Sequence, residues 1–83
     1  MEWEEIGRVN HYYSKIAVAI LELSAELKVG ELIKIVGPKT ETEQVVKSMQ
    51  VDHRNIDVAK PGDLVGLKVE EKVRQGDIVY KQA

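Results

Sequence analysis

The chain predicts an all-β fold of about six short antiparallel strands closed into a small barrel. Three observations point there. Glycine and proline punctuate the sequence at Gly7, Gly30, Gly37-Pro38, Pro61-Gly62, Gly66 and Gly76, leaving short pieces between them. Several of those pieces alternate apolar and polar residues, most cleanly Leu64 to Glu70, where Val65, Leu67 and Val69 share a face. Turn signatures separate them: Lys28-Val-Gly-Glu31, Lys60-Pro-Gly-Asp63 and Arg74-Gln-Gly-Asp77. Closing such strands on one another removes exposed sheet edges.

Taken in order, Glu4 to Asn10 forms a first strand, and Asn10 to Lys15 a loop or hairpin end. Ile16 to Leu23 is apolar on both alternations, with Ile16, Val18 and Ile20 on one side and Ala17, Ala19, Leu21 and Leu23 on the other. Ile16, Ile20, Leu23 and Leu27 also keep helical spacing, with Ser14 as an N-cap. The strand-rich sequence downstream favours a strand. Leu32 to Val36 is a strand with Ile33 and Ile35 on one face. Glu43 to Asp52 reads as one long strand in which Val45, Met49 and Val51 share a face. Asn55 to Ala59 fits a single helical turn placing Ile56 and Ala59 against the core. Gly66, inside a strand, predicts a bend or a close backbone approach. Ile78 to Lys81 closes the domain.

Eighty-three residues make one domain with a modest core. Fourteen acidic residues against twelve Lys plus Arg give a net charge of -2, unlike a dedicated nucleic-acid binder. No cysteine is present, which excludes disulfides and thiolate chemistry. The opening Met-Glu-Trp-Glu-Glu-Ile lacks a basic flank and an apolar run, so no signal peptide is expected, and no stretch is long enough to span a bilayer. A soluble cytoplasmic protein without membrane association is the expectation.

Enzymatic templates fail one after another. There is no GxxxxGK[ST] phosphate loop, so no nucleotide binding of that type. His11 and His53 are the only histidines, without metal-ligand spacing. Ser14, Ser24 and Ser48 occupy no nucleophile elbow. The chain therefore reads as non-catalytic, with no cofactor and no metal.

Two segments could bind a ligand. His11-Tyr-Tyr-Ser-Lys15 gathers two of the three tyrosines beside a lysine. Tyr12, Tyr13 and Lys15 there could stack on bases and contact phosphates. Alternatively one ring plugs the barrel end, since neighbouring side chains of an extended segment point to opposite faces. Gln50, His53 and Arg54 leave the long strand as polar side chains suited to a ligand, or simply as turn residues. Lys68, Lys72 and Arg74 alternate with Glu70 and Glu71 and form a charge-balanced face.

The run from Lys47 to Val69, with its Met-Gln-Val-Asp-His-Arg and Pro-Gly-Asp-Leu-Val-Gly pieces, resembles the second domain of translation GTPases such as elongation factor Tu. Leu27 to Ile35 and Arg74 to Val79 resemble that family's preceding turn and closing strand. The accessory barrel of U32 peptidase-family proteins is similar too. The resemblance implies a six-stranded Greek-key barrel without its GTPase domain. It implies a stand-alone module that binds tRNA, rRNA or a ribonucleoprotein in protein biosynthesis. The family's tRNA-end pocket uses a Glu, an Arg and an Asn where this chain has Gln50, His53 and Leu64. The alternative is a protein-interaction or dimerisation module serving a larger GTPase or U32-type enzyme. Ile16, Val18 and Ile20 would then form the docking face.

Overall fold

The computed structural model describes residues 2–82, and every element in them is a strand; there is no helix. None of these residues forms a helix long and apolar enough to cross a membrane. The elements are β1 (Trp3–Tyr13), β2 (Val18–Leu23), β3 (Leu27–Lys28), β4 (Leu32–Gly37), β5 (Thr40–Val45), β6 (Met49–Val51), β7 (Arg54–Ile56), β8 (Val58–Ala59), β9 (Leu64–Lys68) and β10 (Ile78–Gln82).

Eight of them form one antiparallel sheet in the order β5-β4-β10-β1-β2-β9-β6-β7, and β3 pairs separately with β8. The long β1 is the hub. It pairs with β2 on one side and β10 on the other, and bulges near Gly7 and again between Val9 and His11. Bulges bend and twist a strand, which lets β1 wrap around the core. Alternation then sorts the side chains. Ile6, Leu21, Ile33, Ile35, Leu67 and Val79 are fully buried in one continuous apolar cluster. Each such side chain contributes on the order of 1.5–3 kcal/mol of transfer free energy.

The strand reading of Ile16 to Leu23 holds from Val18 onward: Ala19, Leu21 and Leu23 face the core, and Val18 and Ile20 face outward. Ile16 and Ala17 lie instead in the β1–β2 turn. All three turn signatures close as expected, with Glu31 N bonding Lys28 O at 3.2 Å, Asp63 N bonding Lys60 O at 3.1 Å and Asp77 N bonding Arg74 O at 3.1 Å. Gly30, Gly62 and Gly76 supply the positive φ these turns need.

Three expectations fail. The stretch from Glu43 to Asp52 is not one strand. It breaks between Val45 and Met49, so Val45 is exposed and Val46 is buried in its place. Asn55 to Ala59 is not a helical turn; Ile56 and Ala59 sit in two different short strands. The six-stranded closed barrel is not formed either. The main sheet has two ends, β5 and β7, and no main-chain ladder joins them among the described residues.

One side chain does part of that joining. Gln44, on β5, donates from Nε2 to Lys68 O at 2.9 Å and accepts from Glu70 N at 2.9 Å through Oε1. Its amide has the donor and acceptor of a peptide group, so it mimics one rung of a ladder between β5 and the end of β9.

Candidate functional site

The outward face of β2, β9 and β6 carries the candidate site. Register sets Ile20 beside Gly66, and Gly66 beside Gln50. Gly66 has no side chain, so this row is hollow at its centre. A Cβ there would lie 3.7 Å from Ile20 Cδ1, 3.7 Å from Gln50 O and 3.9 Å from Val18 Cγ1, which is ordinary contact distance. Gly66 thus marks the floor of a groove rather than the forced close approach its position suggested.

The groove encloses about 430 Å³. Tyr13, Ile16 and Ile20 line it on the β2 side and Gln50 on the β6 side, while Leu64 lies two residues from Gly66 along β9. Ile16 is 61% exposed, Leu64 50% and Tyr13 48%. Isolated exposed apolar residues need no explanation, but convergence of several on one hollow does.

Backbone conformation sharpens the picture. The non-glycine residues with positive φ are Ala17 (55°), Asp52 (52°) and His53 (64°). Ala17 belongs to the turn joining β1 to β2. Asp52 and His53 form the two-residue turn joining β6 to β7, between the paired Val51 and Arg54. Positive φ at both central residues gives the twist that a tight hairpin prefers. Both turns border the groove, and Asp52 and His53 line it. Left-handed backbone is disfavoured for L-residues by roughly 1–2 kcal/mol, so both rims hold strained conformations.

The structure divides the candidate ligand contacts. Tyr13, Gln50 and His53 meet at the groove together with the interface candidates Ile16 and Ile20, and Val18 borders it. Tyr12 turns the other way and packs against the core, while Tyr13 remains exposed with its ring edge-on to His11 at 4.4 Å. Lys15 is exposed at the tip of the adjoining turn. Arg54 pairs with Val51, on the opposite face from Gln50, and does not line the groove. The Gln50 amide is already engaged, donating to Asn55 Oδ1 at 3.0 Å. Leu64 adds an exposed apolar side chain to this surface, and only its place two residues from a strand glycine hints at that in the sequence.

A second hollow of about 240 Å³ lies across the sheet between Trp3, Lys34, Val36 and Tyr80, with Lys34 Nζ 5.5 Å from the Trp3 ring centre. Among the described residues, no group of three or more His, Asp or Glu side chains is placed to hold a metal ion.

No family model matches the chain. It is 49% identical over 77 residues, 92% of its length, to an uncharacterized protease of Methanocaldococcus jannaschii. It is 33% identical over 78 residues to a collagenase of Porphyromonas gingivalis, again over 92% of its length. The chain spans only 19% and 22% of those relatives. Its fold matches the crystallised C-terminal domain of a Geobacillus thermoleovorans protein described as a U32 peptidase. The TM-score is 0.89 at 20% identity, covering 96% of this chain and 93% of that one. The selenomethionine variant of the same domain gives 0.87, covering 92% and 96%.

These similarities overturn the translation-GTPase reading, together with RNA binding and a role in protein biosynthesis. The local chemistry agrees: where a tRNA-end pocket needs polar groups, Leu64 is apolar and Gln50 is engaged by Asn55. The supported resemblance is the other one, and the chain is an all-β domain similar to the C-terminal domain of a U32 peptidase.

Proposed function

We propose that the chain is a non-catalytic accessory module that docks onto the catalytic part of a larger U32-type protein. The docking surface is the outward face of Ile16, Val18 and Ile20 and the groove beside it. The observation that carries this reading is the convergence of half-exposed Tyr13, Ile16 and Leu64 on one hollow. Apolar side chains around a concavity are what a protein partner buries at the centre of an interface. The relatives support it as well. They carry the names protease and collagenase, and this chain corresponds to about one fifth of each. The remaining length is where a catalytic apparatus would reside.

The test is reconstitution. The chain is mixed with the remainder of the Methanocaldococcus jannaschii relative, and complex formation is followed by size-exclusion chromatography with light scattering. A one-to-one complex is expected, lost on Val18→Lys with the melting temperature of the chain unchanged. No complex with the unaltered chain, or a Val18→Lys variant that binds as well, would refute the reading. A homodimer formed through the same face would replace it.

A further inference from the structure

We infer that the Gly66 groove takes an acidic segment of its partner, one bulky apolar side chain seated on Gly66 and a neighbouring carboxylate held by Lys15 and Lys68. This rests on the docking reading above and adds the chemistry of what docks.

The argument is electrostatic as well as steric. Arg8, Lys28, Lys34, Lys47 and Lys81 each form an ion pair with a glutamate of this chain. Lys15, Lys39, Arg54, Lys60, Lys68, Lys72 and Arg74 form none among the described residues, and of these Lys15 and Lys68 adjoin the groove through their neighbours Ile16 and Gly66 without lining it. Lys68 stands directly across from Val18 in the β2–β9 ladder, on the same outward face. Lys15 lies in the turn with Tyr13 and Ile16. Asp52 is the carboxylate that lines the groove. By register it belongs to the Leu64 end, and the lysines to the Val18 end. The hollow is therefore apolar at its centre and cationic at one end, on a chain whose net charge is -2.

A second copy of the chain would bring the same excess of lysine over aspartate to the contact. A segment richer in carboxylates is the better complement, because like charges brought together cost affinity and opposite charges set orientation and partner choice. The missing side chain at Gly66, with Ile20 on one side and Gln50 on the other, leaves the place where an apolar side chain of the segment would lie.

Random peptides displayed on phage are selected on the unaltered chain. The enriched peptides are then synthesised, and their binding to two variants is measured by fluorescence anisotropy. Gly66→Leu fills the hollow; Lys15→Glu with Lys68→Glu reverses the cationic end. Enriched sequences should pair a large apolar residue with adjacent Asp or Glu. Each variant should lower affinity by about tenfold or more, and affinity should fall as salt is raised. No enrichment, enrichment without acidic residues, or unchanged affinity in either variant overturns the inference. If Gly66→Leu fails to fold, the uncharged Leu64→Gln replaces it, since that side chain is half exposed and lines the groove. The outcomes separate from those of the docking test. A reconstituted complex broken by Val18→Lys but indifferent to the double charge reversal would keep the docking module and discard the acidic segment.

Discussion

Gly7 and Gly66 both lie within strands, and the same substitution at each should move stability in opposite directions. A Cβ on Gly66 meets nothing closer than 3.7 Å. Its backbone lies outside the left-handed region, so alanine fits without strain. Gly66→Ala then gains the roughly 0.5–1 kcal/mol that strand glycine loses in chain entropy. A Cβ on Gly7 would overlap the Glu22 carbonyl oxygen and approach Leu23 Cα to 3.1 Å. Both atoms are main chain in β2, so the β1–β2 ladder itself must shift. Overpacking of this kind costs about 1–3 kcal/mol, a sizeable share of the roughly 5–15 kcal/mol by which native domains are stable. Trp3 is the single tryptophan and lies in β1, so its fluorescence follows unfolding in urea. With a slope near 1 kcal/mol per molar for a small domain, Gly66→Ala should raise the midpoint by about 0.5–1 M. Gly7→Ala should lower it by about 1 M or more, or leave the chain unfolded. A destabilised Gly66→Ala or a neutral Gly7→Ala would refute this account of the two positions.

Other perturbations test separate parts of the fold. Gln44→Leu removes the amide that joins Lys68 O and Glu70 N. It should cost about 1–3 kcal/mol by urea titration, because part-buried backbone groups lose their partners. Ala17→Gly relieves left-handed backbone in the β1–β2 turn. It should stabilise by up to about 1 kcal/mol, read as a higher melting temperature. Gly37→Ala drives a Cβ into the buried Asp77 carboxylate, which caps its own turn by accepting from Arg74 N at 2.9 Å. It should destabilise by about 1–3 kcal/mol, seen as a lower urea midpoint.

The sequence disclosed most where local chemistry and tertiary packing agree. The Gly-containing turns have one good conformation, and Val65, Leu67 and Val69 alternate without interruption, so both could be read directly. It misled where counting by two crossed a hidden break. Val46, Lys47 and Ser48 leave the ladder, and that gap moved Val45 to solvent and Val46 to the core. A shift of one residue exchanges the two faces of a strand, and no glycine or proline marks this one. Asp52-His53 was equally hard to see, because a tight hairpin turn with positive φ at both positions is normally announced by Asn-Gly or Asp-Gly. Without that hairpin, the i to i+3 spacing of Ile56 and Ala59 looked helical. Of the site, Ile16, Val18 and Ile20 were visible as an outward apolar row. Their meeting with Gln50 and His53 depended on β9 lying between β2 and β6, which local pattern does not encode.

The position of β10 has a bearing on how the chain acquires its shape. It lies between β1 and β4 and is the last strand in order, so the hairpin of β4 and β5 has no neighbour on its inner side until residues 78–82 arrive. Assembly must wait for the sequence-distant partner, and loop closure of that span comes before any reward from pairing. Refolding should therefore be slow for so small a molecule, and removing those five residues should cut the sheet into two fragments rather than merely fray its margin.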